Sequence, residues 1–560
     1  MVAEGGPPTT VAELVRARAS DSNLGLQFEG ERWTWAEVVG EMEARSAWLA
    51  GLVAAGPPHV GVLLDNVPEY LFLLGGAALA GRVVVGINPT RRGEELARDI
   101  RHADCQVIVT DAGYAELLDG LDLGVANDRV VITGSPEHEA ALAPSHGGDA
   151  GPAVAPAPTA DDLFLLIFTS GSTGAPKAVR VTQGRAARAA TGPMGFGPDD
   201  VLYCSMPVFH GNALMSMVFP ALGSGASLVF KRKFSASGFL PDLRRYHCTF
   251  TSTIGRALAY VLATPPTDHD RDHDLKFVLA PEASTADVKA FKRRFGVPAF
   301  GGYGSSENAI VMIPVPGQPS GALGTPAPGL QVAVVDPATG EECPRARFDA
   351  AGRLINADEA IGELVGLNAL DRFEGYYNNA EATEARSRSG WYWSGDLAYR
   401  GEDDVFSFAG RTADWLRVDG ENFAGAPVER VVERYPGVVG AAVFGVPDDH
   451  TADDQVMAVI ELADGTGFDP AAFDAFLADQ RDLGTKWSPR YLRVVDRLPV
   501  TATNKIDKAP LRTARWTATG SDPVYWRPER RDPLRAMTEA DRTEIAARFA
   551  ANGRAEVLDR

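Results

Sequence analysis

From Thr10 to about Asp111 the sequence switches repeatedly between two periodicities, and this alternation restricts the fold more than any other feature. Helical patterns such as EVVGEMEARSAWLAGLVAAG alternate with short β-branched runs, HVGVLL, RVVVGIN and CQVIVTD. Strands separated by helices need crossover connections, so the run predicts βαβ units and a mainly parallel sheet. Residues 135–160, SPEHEAALAPSHGGDAGPAVAPAPTA, are rich in Pro, Ala and Gly without periodicity, and are expected to be a surface connector between two sub-sections. A second α/β stretch opens with LFLLIF at 163–168 and continues through SLVF, CTFTST, KFVLA and VPAFGGYG. Ligands bind such sheets at strand ends. Past Gly324 the pattern turns strand-rich (LQVAVVDPATG, GELVG, DVFSFAG), as a smaller β unit would. A fresh α/β pattern starts near Asp414.

The expected fold class is therefore α/β. A large composite N-terminal domain over 1–412 combines two α/β sub-domains with a small β unit. A small mobile α+β domain over 413–515 follows, then a charged tail over 516–560 with one helix at 538–552. Its 560 residues are too many for one hydrophobic core. With 45% hydrophobic and 23% charged residues the chain is globular rather than disordered. A formal charge of -20 argues against nucleic acid or an anionic membrane as partner. Cys105, Cys204, Cys248 and Cys343 stand far apart, so neither a zinc site nor a disulfide framework is indicated, and a reducing cytoplasm fits. The N-terminus lacks a basic-then-apolar signal and reads as a loop feeding a helix capped by Thr9 or Thr10. FLLGGAALAG at 72–81 falls short of the ~20 residues that span a bilayer and reads as a buried helix, so no integral membrane span is expected.

The chemistry concentrates first in Thr169-Ser170-Gly171-Ser172-Thr173-Gly174-Ala175-Pro176-Lys177, directly after LFLLIF. A loop of small residues behind a buried strand can turn several backbone N–H groups and hydroxyls toward phosphate oxygens, and Lys177 adds a positive charge. Its spacing is not that of the GxxxxGK[ST] loop. By itself the segment reads equally as a Ser/Gly/Thr turn joining two elements. Its full wording resembles the signature loop of the adenylate-forming superfamily, which includes acyl-CoA synthetases, luciferases and peptide-synthetase adenylation domains. Further resemblances follow in the family's order. Tyr303-Gly304-Ser305-Ser306-Glu307 resembles YGxTE, in which the Tyr packs on adenine and the Glu holds Mg²⁺ against phosphates. Tyr392-Trp393-Ser394-Gly395-Asp396 resembles (Y/W)xxGD, whose Asp binds the ribose. Gly410-Arg411 with Asp414 resembles GRxxD, whose Arg also reaches the ribose. Thr503-Asn504-Lys505-Ile506 resembles TGKI with its catalytic lysine, Asn504 replacing the usual Gly.

The resemblance implies ATP, Mg²⁺ and CoA as cofactors, with Thr169 and Glu307 on the metal. It also implies Glu282 and Ala283 of APEA and Phe408 on the nucleotide, and His210 of PVFHGN at the acyl site. Each role has an independent physical reason. A carboxylate beside a polyphosphate needs a divalent cation between them. Asp396 can accept two charge-assisted hydroxyl bonds. Lys505 would neutralise charge building on phosphorus as pyrophosphate leaves. Singly, Glu307 and Asp396 read as caps or turn residues, Lys505 as a solvated lysine and His210 as a satisfied core histidine; together and in order they read as a set. The apolar stretch 213–228, with Met215 and Met217, serves equally as core or as a pocket for a hydrophobic acid.

Departures from the family pattern are Ala413, where a hinge Asp or Lys is frequent, APEA in place of a glycine-rich segment, and Asn308 after Glu307 where Gly is common. RTADWLRVDGENF and TATNKIDK resemble the fatty-acid transport protein and very-long-chain acyl-CoA synthetase branch. There Gly420 corresponds to the glycine passed by the pantetheine arm. The expectation is an AMP-forming acyl-CoA ligase that activates a hydrophobic carboxylic acid, a fatty acid or a bulky natural-product acid, and hands it to CoA. The alternatives are an adenylate former serving a separate carrier protein, a luciferase-type oxygenase and a non-catalytic binding protein; a homodimer is a candidate assembly.

Overall fold

The computed structural model describes all residues but 1–7, 53–55, 144–156, 170–176, 193, 282, 284, 316–317, 319–321, 350–353, 412–414, 419–420, 450–453, 481–482, 484–485, 502–504, 518–521, 553 and 559–560. The chain forms two compact units, residues 1–309 with 371–385 and residues 310–370 with 386–560. The expected boundary at 412–413 lies outside the described residues.

The first unit holds two α/β sheets. Its strands are β1 Leu24–Phe28, β2 Glu31–Thr34, β3 His59–Leu63, β4 Val83–Gly86, β5 Val107–Thr110, β6 Val130–Ile132, β7 Leu163–Thr169, β8 Lys177–Thr182, β9 Val201–Cys204, β10 Ser227–Phe230, β11 Phe250–Ser252, β12 Phe277–Leu279 and β13 Ala299–Phe300. One sheet runs β8-β7-β4-β3-β5-β6, with the short strand Tyr376–Tyr377 added beyond β8; the other runs β13-β12-β11-β9-β10-β1-β2. β3 and β4 are buried along their whole length, as parallel strands covered by helices on both faces must be. The parallel βαβ expectation holds, but the strands do not divide at the connector. β1 and β2 pair into the second sheet, β1 parallel to β10, while β7 and β8 complete the first. The connector itself begins with a helix, Pro136–Leu142, capped by Ser135 with Pro at its first turn and burying His138 and Leu142.

FLLGGAALAG lies in the helix Pro68–Ala80, buried almost throughout. A Cβ at Gly76 would come within 2.7 Å of Arg45 Cβ and 2.9 Å of the Met42 carbonyl oxygen on the helix Trp35–Leu52, so glycine permits the two helices to touch backbone to backbone. Thr10 and Glu13 close a reciprocal capping box on the helix Val11–Ala17, which settles Thr10 over Thr9 as the cap. Among the described residues no helix is long and apolar enough to cross a membrane.

The second unit contains an antiparallel sheet of β14 Val311–Ile313, β15 Ala322–Pro326, β16 Val332–Val335, β17 Gly362–Gly366, β18 Trp391–Arg400 and β19 Phe406–Arg411. Its spatial order is β14-β15-β19-β18-β17-β16. The hairpin β20 Trp415–Val418 and β21 Glu421–Ala424 leads to a five-stranded sheet, β22 Val438–Pro447, β23 Asp454–Leu462, β24 Tyr491–Val495, β25 Val524–Trp526 and β26 Arg535–Ala536. Residues beyond 516 are built into this sheet. β25 pairs antiparallel with β24, and the helix Glu539–Ala551 sends Ile545 and Phe549 into a core with Trp516, Trp526, Tyr491 and Phe444. The helix expected at 538–552 is present, with Thr538 and Asn552 as its caps.

Candidate active site

In the first unit the signature segment is a connection between paired strands. β7 ends at Thr169, β8 begins at Lys177, and the two residues are register partners. Thr169 Oγ1 donates to the Lys177 carbonyl oxygen over 3.4 Å, fixing the base of a loop whose residues 170–176, Ser170 through Pro176, lie outside the described residues. Lys177 Nζ stands 5.5 Å from the ring centre of Tyr376, a cation–π distance. The Tyr376 hydroxyl donates to Glu307 Oε1 at 2.6 Å, and both side chains are buried. Glu307 thus joins Lys177 and Thr169 through a tyrosine that sequence reasoning did not single out.

The backbone carrying Glu307 is held as well. Arg185, itself buried, donates from Nη2 to the Ser306 carbonyl oxygen and from Nη1 to that of Arg180 at 3.0 Å. Asn308 donates its N–H to the Ser305 carbonyl oxygen at 2.9 Å with φ +52°, a left-handed conformation. That conformation accounts for the departure from glycine, because Asn is the side chain best tolerated there. Tyr303 and Gly304 form a two-residue strand, with Tyr303 half-buried and Gly304 exposed.

The segment before His210 is clamped by a second residue that the sequence did not reveal. Buried Asn66 donates to the Met206 carbonyl oxygen and accepts from the Val208 N–H, both at 2.9 Å. His210 is half-buried, its ring 4.7 Å from that of Phe209. A Cβ on Gly211 would lie 3.7 Å from Ser306 Oγ, so the acyl-side segment adjoins the loop of Glu307. Next comes a turn of π-helix, Leu214–Val218, a geometry frequent at functional sites. Asn212 Oδ1 accepts there from Ser252 Oγ at 2.7 Å. Met217 is buried and Met215 partly exposed, so the apolar stretch divides between core and open surface. Glu282 lies outside the described residues, and Ala283 packs at the edge of the second sheet's core.

In the second unit Asp396 on β18 is half-buried and pairs in register with Arg411 on β19; the Arg411 side chain and Gly420 are outside the described residues. The register irregularity of β18 before Asp396 coincides with Gly395 at φ +72°. Its N–H donates to Glu363 Oε1 at 2.7 Å, while Arg388 Nη2 reaches Glu363 Oε2 at 3.3 Å. Burial pushes the Glu363 carboxyl upward, against the lowering by that N–H and by Arg388. The Phe408 carbonyl oxygen accepts from Arg430 Nη1 at 3.3 Å. Lys505 sits half-buried at the foot of a loop closed by Thr501 N–H to the Lys505 carbonyl oxygen at 2.7 Å and Lys505 N–H to Thr501 Oγ1 at 3.2 Å. Asn504 is outside the described residues.

Comparison with known proteins shows the family of the chain. Residues 15–367 match the AMP-binding enzyme model, and residues 427–505 match the AMP-binding enzyme C-terminal domain. The chain belongs to the AMP-binding enzyme family. It is similar to the steroid-22-oyl-CoA synthetase of Rhodococcus jostii (strain RHA1), 49% identical over 554 residues, covering 98% of this chain and 99% of the relative. It is also similar to the medium/long-chain-fatty-acid–CoA ligase FadD17 of Mycobacterium tuberculosis (strain ATCC 25618 / H37Rv), 42% identical over 520 residues, 92% and 98% of the two chains. The fold matches the anthranilate CoA ligase AuaEII in complex with anthranoyl-AMP, with a TM-score of 0.77, 22% identity and 90% and 98% coverage. It also matches ATP-bound MatB from Rhodopseudomonas palustris, with a TM-score of 0.76, 24% identity and the same coverage. This member of the AMP-binding family is an AMP-forming acyl-CoA ligase, which uses ATP and CoA on a carboxylic acid.

Proposed function

We propose that this ligase activates a bulky hydrophobic acid of the steroid side-chain type. The observation that carries the reading is the 49% identity, over 98% of the chain, to a relative named for a steroid-22-oyl substrate. An acid of that size suits the partly exposed Met215 within the π-helical turn, since thioethers adapt to irregular apolar surfaces. In the first half-reaction a carboxylate oxygen of the acid attacks the α-phosphorus, the bond to the bridging oxygen breaks, and pyrophosphate leaves. In the second the CoA sulfur attacks the acyl carbonyl carbon and AMP departs with the former carboxylate oxygen.

The chain's own groups divide the work as follows. The loop 169–177 cradles the phosphates with its N–H groups and with Lys177. Glu307 and Thr169 offer a carboxylate and a hydroxyl, a hard oxygen donor set that suits Mg²⁺, and both adjoin the Lys177–Tyr376 pair. When bound, Mg²⁺ neutralises phosphate charge as pyrophosphate leaves. Tyr303 and Ala283 face the base, Asp396 and Arg411 the ribose, and Phe408 the nucleotide. His210 borders the acyl group, Gly420 admits the pantetheine arm, and Lys505 offsets charge on the transferring phosphorus. We place the reaction in the cytoplasm, where ATP and CoA are available.

The test is acyl-CoA formation, followed by mass, on steroid side-chain acids, medium- and long-chain fatty acids and aryl acids at equal concentration. The reading expects kcat/KM to be highest for steroid acids. Higher values for straight-chain fatty acids would transfer the substrate assignment to them and leave the ligase reading intact.

A further inference from the structure

Glu307 is a buried carboxylate, 7% exposed, and a buried charge is costly unless hydrogen-bond donors reach it. Among the described residues that donor is Tyr376 Oη, 2.6 Å from Oε1. The strand carrying this tyrosine is short but firmly registered, Tyr376 opposite Val179 and Tyr377 opposite Ala178 on β8. Neighbouring strand residues face opposite ways. Tyr377 turns to His59, 4.9 Å between ring centres, and to Asp104 Oδ2 at 2.9 Å. Tyr376 turns to Glu307. Its ring is fixed edge-on against Phe373 at 5.4 Å, its N–H donates to Thr383 Oγ1 at 3.0 Å, and its face carries Lys177. A phenylalanine would make the same ring contacts, so packing alone does not call for the hydroxyl. A single Oη–H donor on Oε1 restrains carboxylate rotation and leaves Oε2 to another ligand.

We propose that Tyr376 is a positioning residue that presents the Glu307 carboxylate to the Mg²⁺–nucleotide, acting through its hydroxyl. The proposal rests on the reading of Glu307 as the Mg²⁺ carboxylate. A metal-binding carboxylate held by an outer hydrogen bond loses affinity by roughly 10- to 100-fold when that bond is deleted.

The experiment is calorimetric binding of α,β-methylene-ATP to the full chain at graded Mg²⁺ and in EDTA, for wild type, Tyr376→Phe, Glu307→Gln and the double variant. Each is melted without ligand to report folding. Tyr376→Phe is expected to raise the Mg²⁺ concentration for half-maximal tight binding by about tenfold or more. Its affinity in EDTA and its melting temperature should stay close to wild type. Added to Glu307→Gln, it should change the requirement less than about twofold, because the two act as one unit. A wild-type Mg²⁺ requirement in Tyr376→Phe beside a lost one in Glu307→Gln would overturn the proposal. So would a full additional loss in the double variant, which would make the hydroxyl act independently of Glu307. A wild-type requirement in Glu307→Gln would overturn the assignment of Glu307 itself.

Discussion

Asp99 shows how a single buried group sets a pH dependence away from the catalytic machinery. It lies on the helix Gly93–His102, 3% exposed, with Arg91 Nε 3.5 Å away, and its Oδ1 has no hydrogen-bond partner among the described residues. Burial pushes its carboxyl up to about 6, against a smaller lowering by Arg91. A raised carboxyl contributes stability that is fully present below its ordinary value and is lost as pH rises through about 6. Asp99→Asn removes that ionisation. Its stability relative to wild type should therefore increase by about 2–3 kcal/mol between pH 4 and pH 8, read from urea melts at the two pH values. A pH-independent difference would contradict the burial account. At Asn308, with φ +52°, Asn308→Gly should melt close to wild type, whereas Asn308→Val should lose about 1–2 kcal/mol because a β-branched residue resists the left-handed region. At this scale the sequence was most informative where wording was dense. Lys177, Tyr303, Glu307, Asp396 and Lys505 could be picked out because each stands inside a short motif. Tyr376, Asn66, Arg185 and Glu363 were not legible, since each acts on a segment far along the chain, Tyr376 on a residue 69 positions away and Asn66 on one 142 away.

Among the elements, the most informative is the end of the chain. A stretch that reads as a charged tail supplies two strands and a helix to the five-stranded sheet, because its apolar residues are few and widely spaced. Val524, Trp526, Ile545 and Phe549 do not make a strong period, yet each meets a partner provided by β22 to β24. The helix Glu539–Ala551 is anchored at its start by the Thr538–Asp541 capping box and by Arg535, which reaches both Asp541 oxygens at 2.9 and 2.8 Å. Phe549→Ala should cost about 3–5 kcal/mol, the range for deleting a buried aromatic, and Thr538→Ala about 1 kcal/mol, both read from denaturant melts. Ending the chain at residue 515 would uncover Tyr491 and Val495 and should yield an aggregation-prone product; a truncated chain that melts like the full one would contradict this. Conversely, β3, β4, β7 and the helix Pro68–Ala80 were legible because burial on both faces writes continuous apolar runs, and the helix Trp35–Leu52 because its buried positions recur at helical spacing. The exchange of β1 with β7 between the two sheets was not, since strand pairing across more than a hundred residues leaves no local pattern.

For the molecule as a whole, the fold class and the activity class were both readable, the first from alternating periods and the second from ordered motifs. The acid was not, because pocket shape arises from side chains contributed by separate strands and loops. The two units carry different parts of the proposed chemistry: Thr169, Lys177, Glu307 and His210 in the first, Asp396 and Lys505 in the second. That division predicts separable defects. Lys505→Ala should lose adenylation by about 10²- to 10³-fold, as removal of a transition-state charge partner does, while ATP affinity changes little. The most direct measurement is ATP–pyrophosphate exchange driven by a steroid side-chain acid, in wild type and in Lys505→Ala, followed by CoA addition and mass analysis. The account predicts acid-dependent exchange in the wild type, its near-complete loss in Lys505→Ala, and conversion to the acyl-CoA on adding CoA. Undiminished exchange in Lys505→Ala, or no exchange with any acid in the wild type, would contradict it.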